Sequence, residues 1–170
     1  MRRYRKNINF KNNSEICFLG EKCTITFIQT PTLKSFVIKS GKTLKVFRAF
    51  DSVQTYSEIL ENYFRQEAKK IIEKRVNYFA ELIGENYNQI YIKDTISRWG
   101  SCSSKRNLNF CWRLVLTPKE ILDYVCAHEV AHLKHMNHSR HFWNLLESIF
   151  PSYKDARNWL KINGKKLHEF

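Results

Sequence analysis

The chain has few of the residues that punctuate loose or stapled proteins. Only three Pro and five Gly occur in 170 residues, with no repeat and no low-complexity stretch, so no linker or second domain boundary is marked. Its five cysteines, Cys17, Cys23, Cys102, Cys111 and Cys126, are odd in number and never spaced CxxC. A disulfide framework and a thiolate zinc knuckle are therefore both disfavoured, and reduced thiols in a cytoplasmic protein are expected. No run approaches the ~18 apolar residues of a membrane span, and MRRYRKNINF lacks the apolar core of a signal peptide. Acidic residues are scarce beside basic ones, 16 against 29, giving a formal charge of +13. The excess is uneven: residues 1–50 carry +9, residues 51–100 carry −1 and residues 101–170 carry +5.

What is present reads as one globular domain over residues 1–170, since 43% of residues are hydrophobic and 14% aromatic. Residues 1–15 are basic and Asn-rich and read as a loose arm or an edge strand. The segment Cys23–Gln29 alternates as a half-buried strand, and FVIK and TLKVF, joined through Ser40-Gly41, form a hairpin. Thr55-Tyr56-Ser57-Glu58 has the form of a capping box and opens a long helix that Gly84 stops. Gln89–Ile96 and Asn107–Leu116 alternate as two further strands. Thr117-Pro118-Lys119-Glu120 offers a second capping box, with Pro at the first helical position. Asn137 is expected to end that helix in the left-handed conformation. Ser139 caps the next helix, and a last one runs from Pro151 to about Ile162, where Asn163-Gly164 stops it.

The helix opened at Thr117 carries the chemistry. His128, Glu129 and His132 form an H-E-x-x-H pattern. Residues i and i+4 of a helix share a face about 6 Å apart, so two imidazoles converge on one metal ion while the carboxylate beside them reaches water. Ile121, Val125, His128 and His132 share one stripe, and Leu122, Cys126, Val130, Ala131 and Leu133 cover most of the remainder. A helix apolar on nearly every side is buried, and its polar groups need partners that a metal ion supplies. A catalytic zinc takes three protein ligands. His138, six residues past His132, is the first candidate for the third, with Glu147 and His141 as rivals, while His135 stands too far along the axis. Glu129 is the expected general base. His141 is also a candidate donor to a developing oxyanion, and Phe142 and Trp143 are expected to brace the loop that delivers His138.

The stretch RWGSCSSKRNLNFCWRLVLTPKEILDYVCAHEVAHLKHMNHSRHFW, Arg98 to Trp143, resembles the YgjP-like metal-dependent hydrolases, relatives of the SprT and WLM zinc metallopeptidases. Val130 replaces the usual Leu after the Glu, and Phe110-Cys111 interrupt the N-x-W spacing. The resemblance implies an α+β, zincin-like fold: N-terminal strands and hairpin, a long helix, a twisted and mostly antiparallel sheet packed on the HExxH helix, and C-terminal helices. It implies one zinc ion, or another divalent metal, on His128, His132 and His138. It also makes Arg98, Trp99, Ser101 and Cys102 a candidate substrate-facing loop. Peptide hydrolysis is the function this suggests. Pyrophosphate release from nucleoside triphosphates such as UTP, at the same metal, is the alternative. A third reading has the basic N-terminal third docking nucleic acid or another polyanion.

Overall fold

The computed structural model describes residues 9–167, so most of the basic arm expected over residues 1–15 lies outside the described residues. Two small mixed sheets and four helices alternate along the chain, the α+β class expected. The strands divide between two sheets, and the second, expected to be mostly antiparallel, has one parallel and one antiparallel pairing. The first is ordered β1-β2-β4-β3, with β1 Glu15–Phe18, β2 Glu21–Thr30, β3 Phe36–Ser40 and β4 Thr43–Ala49. The β3–β4 hairpin turns at Gly41, whose φ of 55° suits glycine. It returns β4 parallel to β2, in register from Thr24 opposite Thr43 to Thr30 opposite Ala49.

Helix α1, Tyr56–Ile83, begins at the capping box read from sequence. The Thr55 hydroxyl accepts from the Glu58 amide, and the Glu58 carboxylate accepts from the Thr55 amide at 2.7 Å. It ends at Gly84, φ 67°, whose amide donates to the Ala80 and Glu81 carbonyls. The buried face of α1 includes Phe64, Ala68, Ile72, Val76 and Phe79, and it packs on both α2 and the irregular segment before α2.

The second sheet, ordered β5-β7-β6, comprises β5 Ile90–Lys93, β6 Gly100–Cys102 and β7 Leu108–Cys111. The strand expected over residues 107–116 stops at Cys111, and Trp112–Leu116 coil as a 3-10 helix. Every residue of that helix is buried, including Arg113. Alternating parity marks a strand only when one face meets water, and here both do not. Trp112 stacks on Phe64 of α1, with ring centroids 6.1 Å apart, while Arg113 pairs with Asp94.

Helix α2, Lys119–Ala131, lacks the capping box expected for it. Thr117 is fully buried and spends its hydroxyl on the Leu114 carbonyl at 2.8 Å, closing the 3-10 helix instead. Asp123 of α2 accepts a 2.6 Å bond from Arg75 of α1, tying the two central helices together. Helix α3, Arg140–Ile149, is capped by Ser139 as expected, its hydroxyl accepting from the Phe142 amide. Helix α4, Tyr153–Leu167, runs straight through Asn163-Gly164. Gly164 serves close packing: a Cβ there would lie 3.2 Å from Nε1 of Trp99. No helix among the described residues is long and apolar enough to cross a membrane.

Candidate metal centre

Three histidines from two elements meet at the end of α2. His128 sits in the last turn of the helix, and His132, at its C-cap with φ −67° and ψ −19°, keeps the right-handed conformation. The i, i+4 stacking therefore survives past the formal helix end, and the two ring centroids lie 5.0 Å apart. The turn that follows is not made at Asn137, which has no positive φ. The chain instead tightens through bonds from Leu133, Lys134 and His135 to carbonyls of Val130 and Ala131, each 2.9–3.2 Å long. His138 is thereby carried back over His128, with 3.1 Å between their Nε2 atoms. One ring nitrogen from each of His128, His132 and His138 lies within 4.8 Å of the others, a group that could hold a metal ion.

The donor set fits such an ion. Two nitrogens about 2.0–2.1 Å from a tetrahedral metal stand roughly 3.3 Å apart, close to the separation found for His128 and His138. His132 Nδ1 faces the His135 carbonyl at 3.0 Å, so it carries the proton and leaves the Nε2 lone pair available. Burial, with smaller contributions from His132, His138 and Arg157, pushes His128 down to about 3, and burial also lowers His132. Both are neutral imidazoles at physiological pH, as metal ligation requires. His128 Nδ1 is buried without a hydrogen-bond partner, so its ring is held by packing.

That packing has one centre. Phe142, fully buried on α3, touches all three imidazoles, its ring centroid 5.0 Å from His128, 4.5 Å from His132 and 4.8 Å from His138. Trp143 braces the loop, as its sequence position suggested. Its indole N–H donates to the His138 carbonyl at 3.1 Å, and its ring stacks on the His138 imidazole.

The rivals for the third position stand elsewhere. His141 stacks on His135, with centroids 6.0 Å apart, and the exposed Glu147 pairs with Lys154 at 3.5 Å. Cys126 is fully buried and packs in the core.

The chain matches the model of the YgjP-like family, described as a YgjP-like, metallopeptidase domain, over residues 1–163. It belongs to that family. Two solved structures are similar in part. The metallopeptidase zymogen of Pyrococcus abyssi abylysin aligns at 22% identity and a TM-score of 0.49, over 55% of this chain and 93% of that one. The zymogen of Methanocaldococcus jannaschii jannalysin aligns at 26% identity and a TM-score of 0.43, over 58% and 88%. No curated protein matches. Family membership speaks for a metal-dependent hydrolase of the peptidase type and adds nothing for nucleic-acid binding.

Glu129, next to His128 in helix α2 of this YgjP-like domain, is 6% exposed. Burial raises its carboxyl to about 8, against the opposing pull of the Arg98 guanidinium. Its side chain fills the space a Cβ would need at Gly100 of β6, approaching that position to 2.6 Å. The glycine of the RWGSC loop is thus a steric necessity for the carboxyl beside it. Gly100→Ala is expected to keep the metal content of the protein and to lower kcat/KM about a hundredfold, because a displacement of about 1 Å at a reacting group costs that much. Metal analysis beside steady-state kinetics checks both halves.

The rest of the loop divides. Trp99 is half-buried, with its indole packed close to Gly164 of α4. Cys102 is pushed up to about 11 by burial and by Glu129, so it remains a thiol. Arg98 is exposed, and Ser101 accepts a bond from Asn109 at 3.2 Å.

Two groups near the centre escaped the sequence reading. Tyr124, one turn before His128, packs edge-on against its ring at 5.8 Å, and burial raises its phenol to about 12. Its i−4 spacing was the signal that could have found it. Arg157 of α4 lies over Trp143, 5.0 Å from the ring centroid, and its charge reaches His128 and Tyr124. Nothing local in the sequence links it to the site.

Proposed function

We propose that this chain is a zinc-dependent peptidase in which residues 1–170 form one catalytic unit and His128, His132 and His138 hold the ion. The observation that carries the reading is the convergence of three ring nitrogens within 4.8 Å, at the end of a helix that also carries the buried Glu129. Three imidazoles with no thiolate or second carboxylate suit zinc over harder cations such as magnesium or calcium. When bound, the ion supplies a Lewis acid that polarises a carbonyl and acidifies water.

The chain's own residues supply the remainder. Strand β6 pairs with β7 on one side and, among the described residues, has a free edge on the other. A substrate peptide added to that edge as a further strand is held by backbone hydrogen bonds, with its carbonyl presented beside Glu129. Glu129 takes the proton from the attacking water at its carboxylate and passes it to the departing amide nitrogen. Its raised proton affinity suits both transfers near neutral pH. Tyr124, held as a phenol, and Arg157 stand on the same side as His128 and favour negative charge developing on the carbonyl oxygen.

The purified, metal-loaded protein is expected to cleave members of a peptide library. Chelation should abolish the cleavage, zinc should restore it, and the four nucleoside triphosphates should release no pyrophosphate. Pyrophosphate release without peptide cleavage would establish the nucleotide reading and overturn this one.

A further inference from the structure

The chemistry above leaves a cavity of about 310 Å³ beside β6 unused. Gly100 meets Glu129 on the α2 side of the sheet, so by strand alternation Ser101 and its partner Asn109 look to the opposite face. The cavity is lined by Lys93, Thr95, Arg98, Ser101 and Asn109, together with Gly100 and Phe110. It borders the same free edge that the peptidase reading assigns to substrate.

Its chemistry is one-sided. Lys93 and Arg98 are exposed, and among the described residues neither forms an ion pair. No lining residue carries a carboxylate. The adjacent acid, Asp94, gives one oxygen to Arg113 and the other to Arg65, and the Arg98 charge also acts on Glu129, so Lys93 is the lining cation that no acid offsets among the described residues. Thr95 donates to the Arg98 carbonyl at 2.7 Å, which pins the turn carrying the guanidinium. Ser101 accepts from Asn109, and among the described residues no bond uses its hydroxyl proton. Two cations and a free hydroxyl donor make a lining complementary to a carboxylate.

We propose that this cavity is a subsite for an acidic side chain, an Asp or Glu of the substrate peptide placed there when the peptide pairs with the edge of β6. The proposal rests on the peptidase reading. Side chains of a strand added to β6 alternate between the two faces, so one substrate position next to the scissile bond looks into the cavity while its neighbours face α2. The excess of positive charge on the chain draws acidic peptides toward it over longer distances.

The test uses metal-loaded protein and a peptide series in which single Glu residues are scanned through each position and compared with Gln. One position is expected to favour Glu over Gln by about tenfold in kcat/KM, the size of one hydrogen-bonded charge pair. Lys93→Gln should reduce that preference to under about threefold. Lys93→Glu should reverse it in favour of Lys at that position. Calorimetric binding of the same peptides to metal-loaded Glu129→Gln protein reads the preference without turnover and should give the same ranking. Equal treatment of Glu and Gln at every position, or a preference that survives Lys93→Glu, overturns the subsite and leaves the peptidase reading standing. Failure of every peptide to be cleaved or bound overturns both. Binding of a nucleoside triphosphate that Lys93→Glu abolishes, without discrimination among peptides, assigns the cavity to phosphate and overturns the proposal.

Discussion

Replacing Glu129 with Gln should lower peptide hydrolysis by about two to four orders of magnitude and leave the bound metal in place. The amide keeps the size of the carboxyl and fits the same space against Gly100, so the fold has no reason to change. What it loses is the capacity to take a proton. Unchanged activity in a variant that still carries metal would remove Glu129 from the reaction. The same substitution has a second effect in chelator, where no ion balances the carboxylate. Folding raises this carboxyl from 4.5 to about 8, chiefly through burial. Between those values the folded chain binds more protons than the unfolded one, so stability falls as pH rises. Above pH 8 the full cost is present, on the order of a few kcal/mol. Gln carries no such cost. The variant should therefore melt above the wild type at pH 8.5, with the gap closing toward pH 5. His128 and His132 act in the opposite sense, because their lowered values let the unfolded chain bind protons first as pH falls below 6.5. They are common to both proteins and cancel in the difference.

His138→Ala should weaken zinc binding at least about a hundredfold, since it removes one of three protein ligands and not merely a supporting contact. His138 is exposed and lies on a loop, so its loss leaves the core intact, which circular dichroism would verify. Zinc at 100 times its Kd stabilises a folded protein by about 2.7 kcal/mol, enough to move a melting temperature by several degrees. That rise should appear in the wild type and vanish in His138→Ala. His141→Ala and Glu147→Ala are the informative controls. Both candidates stand outside the histidine group, so both variants should keep the full rise. A variant of either that abolished it, with His138→Ala unaffected, would move the third ligand there.

The parts of this site that sequence reveals are those set within one or two turns of chain. His128, Glu129 and His132 share one helix, and Thr55 and Ser139 cap helices through partners three residues on. His138 was legible because a short turn of fixed length allows few destinations. Where the reading failed, a partner distant in sequence decided the matter. Thr117 has the form of a cap, yet burial turned its hydroxyl to Leu114. Gly164 has the form of a stop, yet Trp99 needs the missing side chain and the helix continues. Arg113 sat on the parity expected to face water and is instead buried against Asp94, 19 residues away. The same holds for the cavity beside β6. Lys93, Thr95 and Asn109 come together only through the register of the second sheet, which no local pattern encodes.

Phe142 gives the histidine cluster an unusual thermal character. When coordinating residues hang on separate loops, warming loosens them one at a time and turnover fades well below the melting point. Here a single core ring is the common neighbour of all three imidazoles, the loop-borne His138 included, so their spacing is tied to the interior to which that ring belongs. The temperature–activity curve should accordingly climb until the cooperative melt and break there, and a smaller residue at 142 should bring a gradual decline that sets in many degrees earlier.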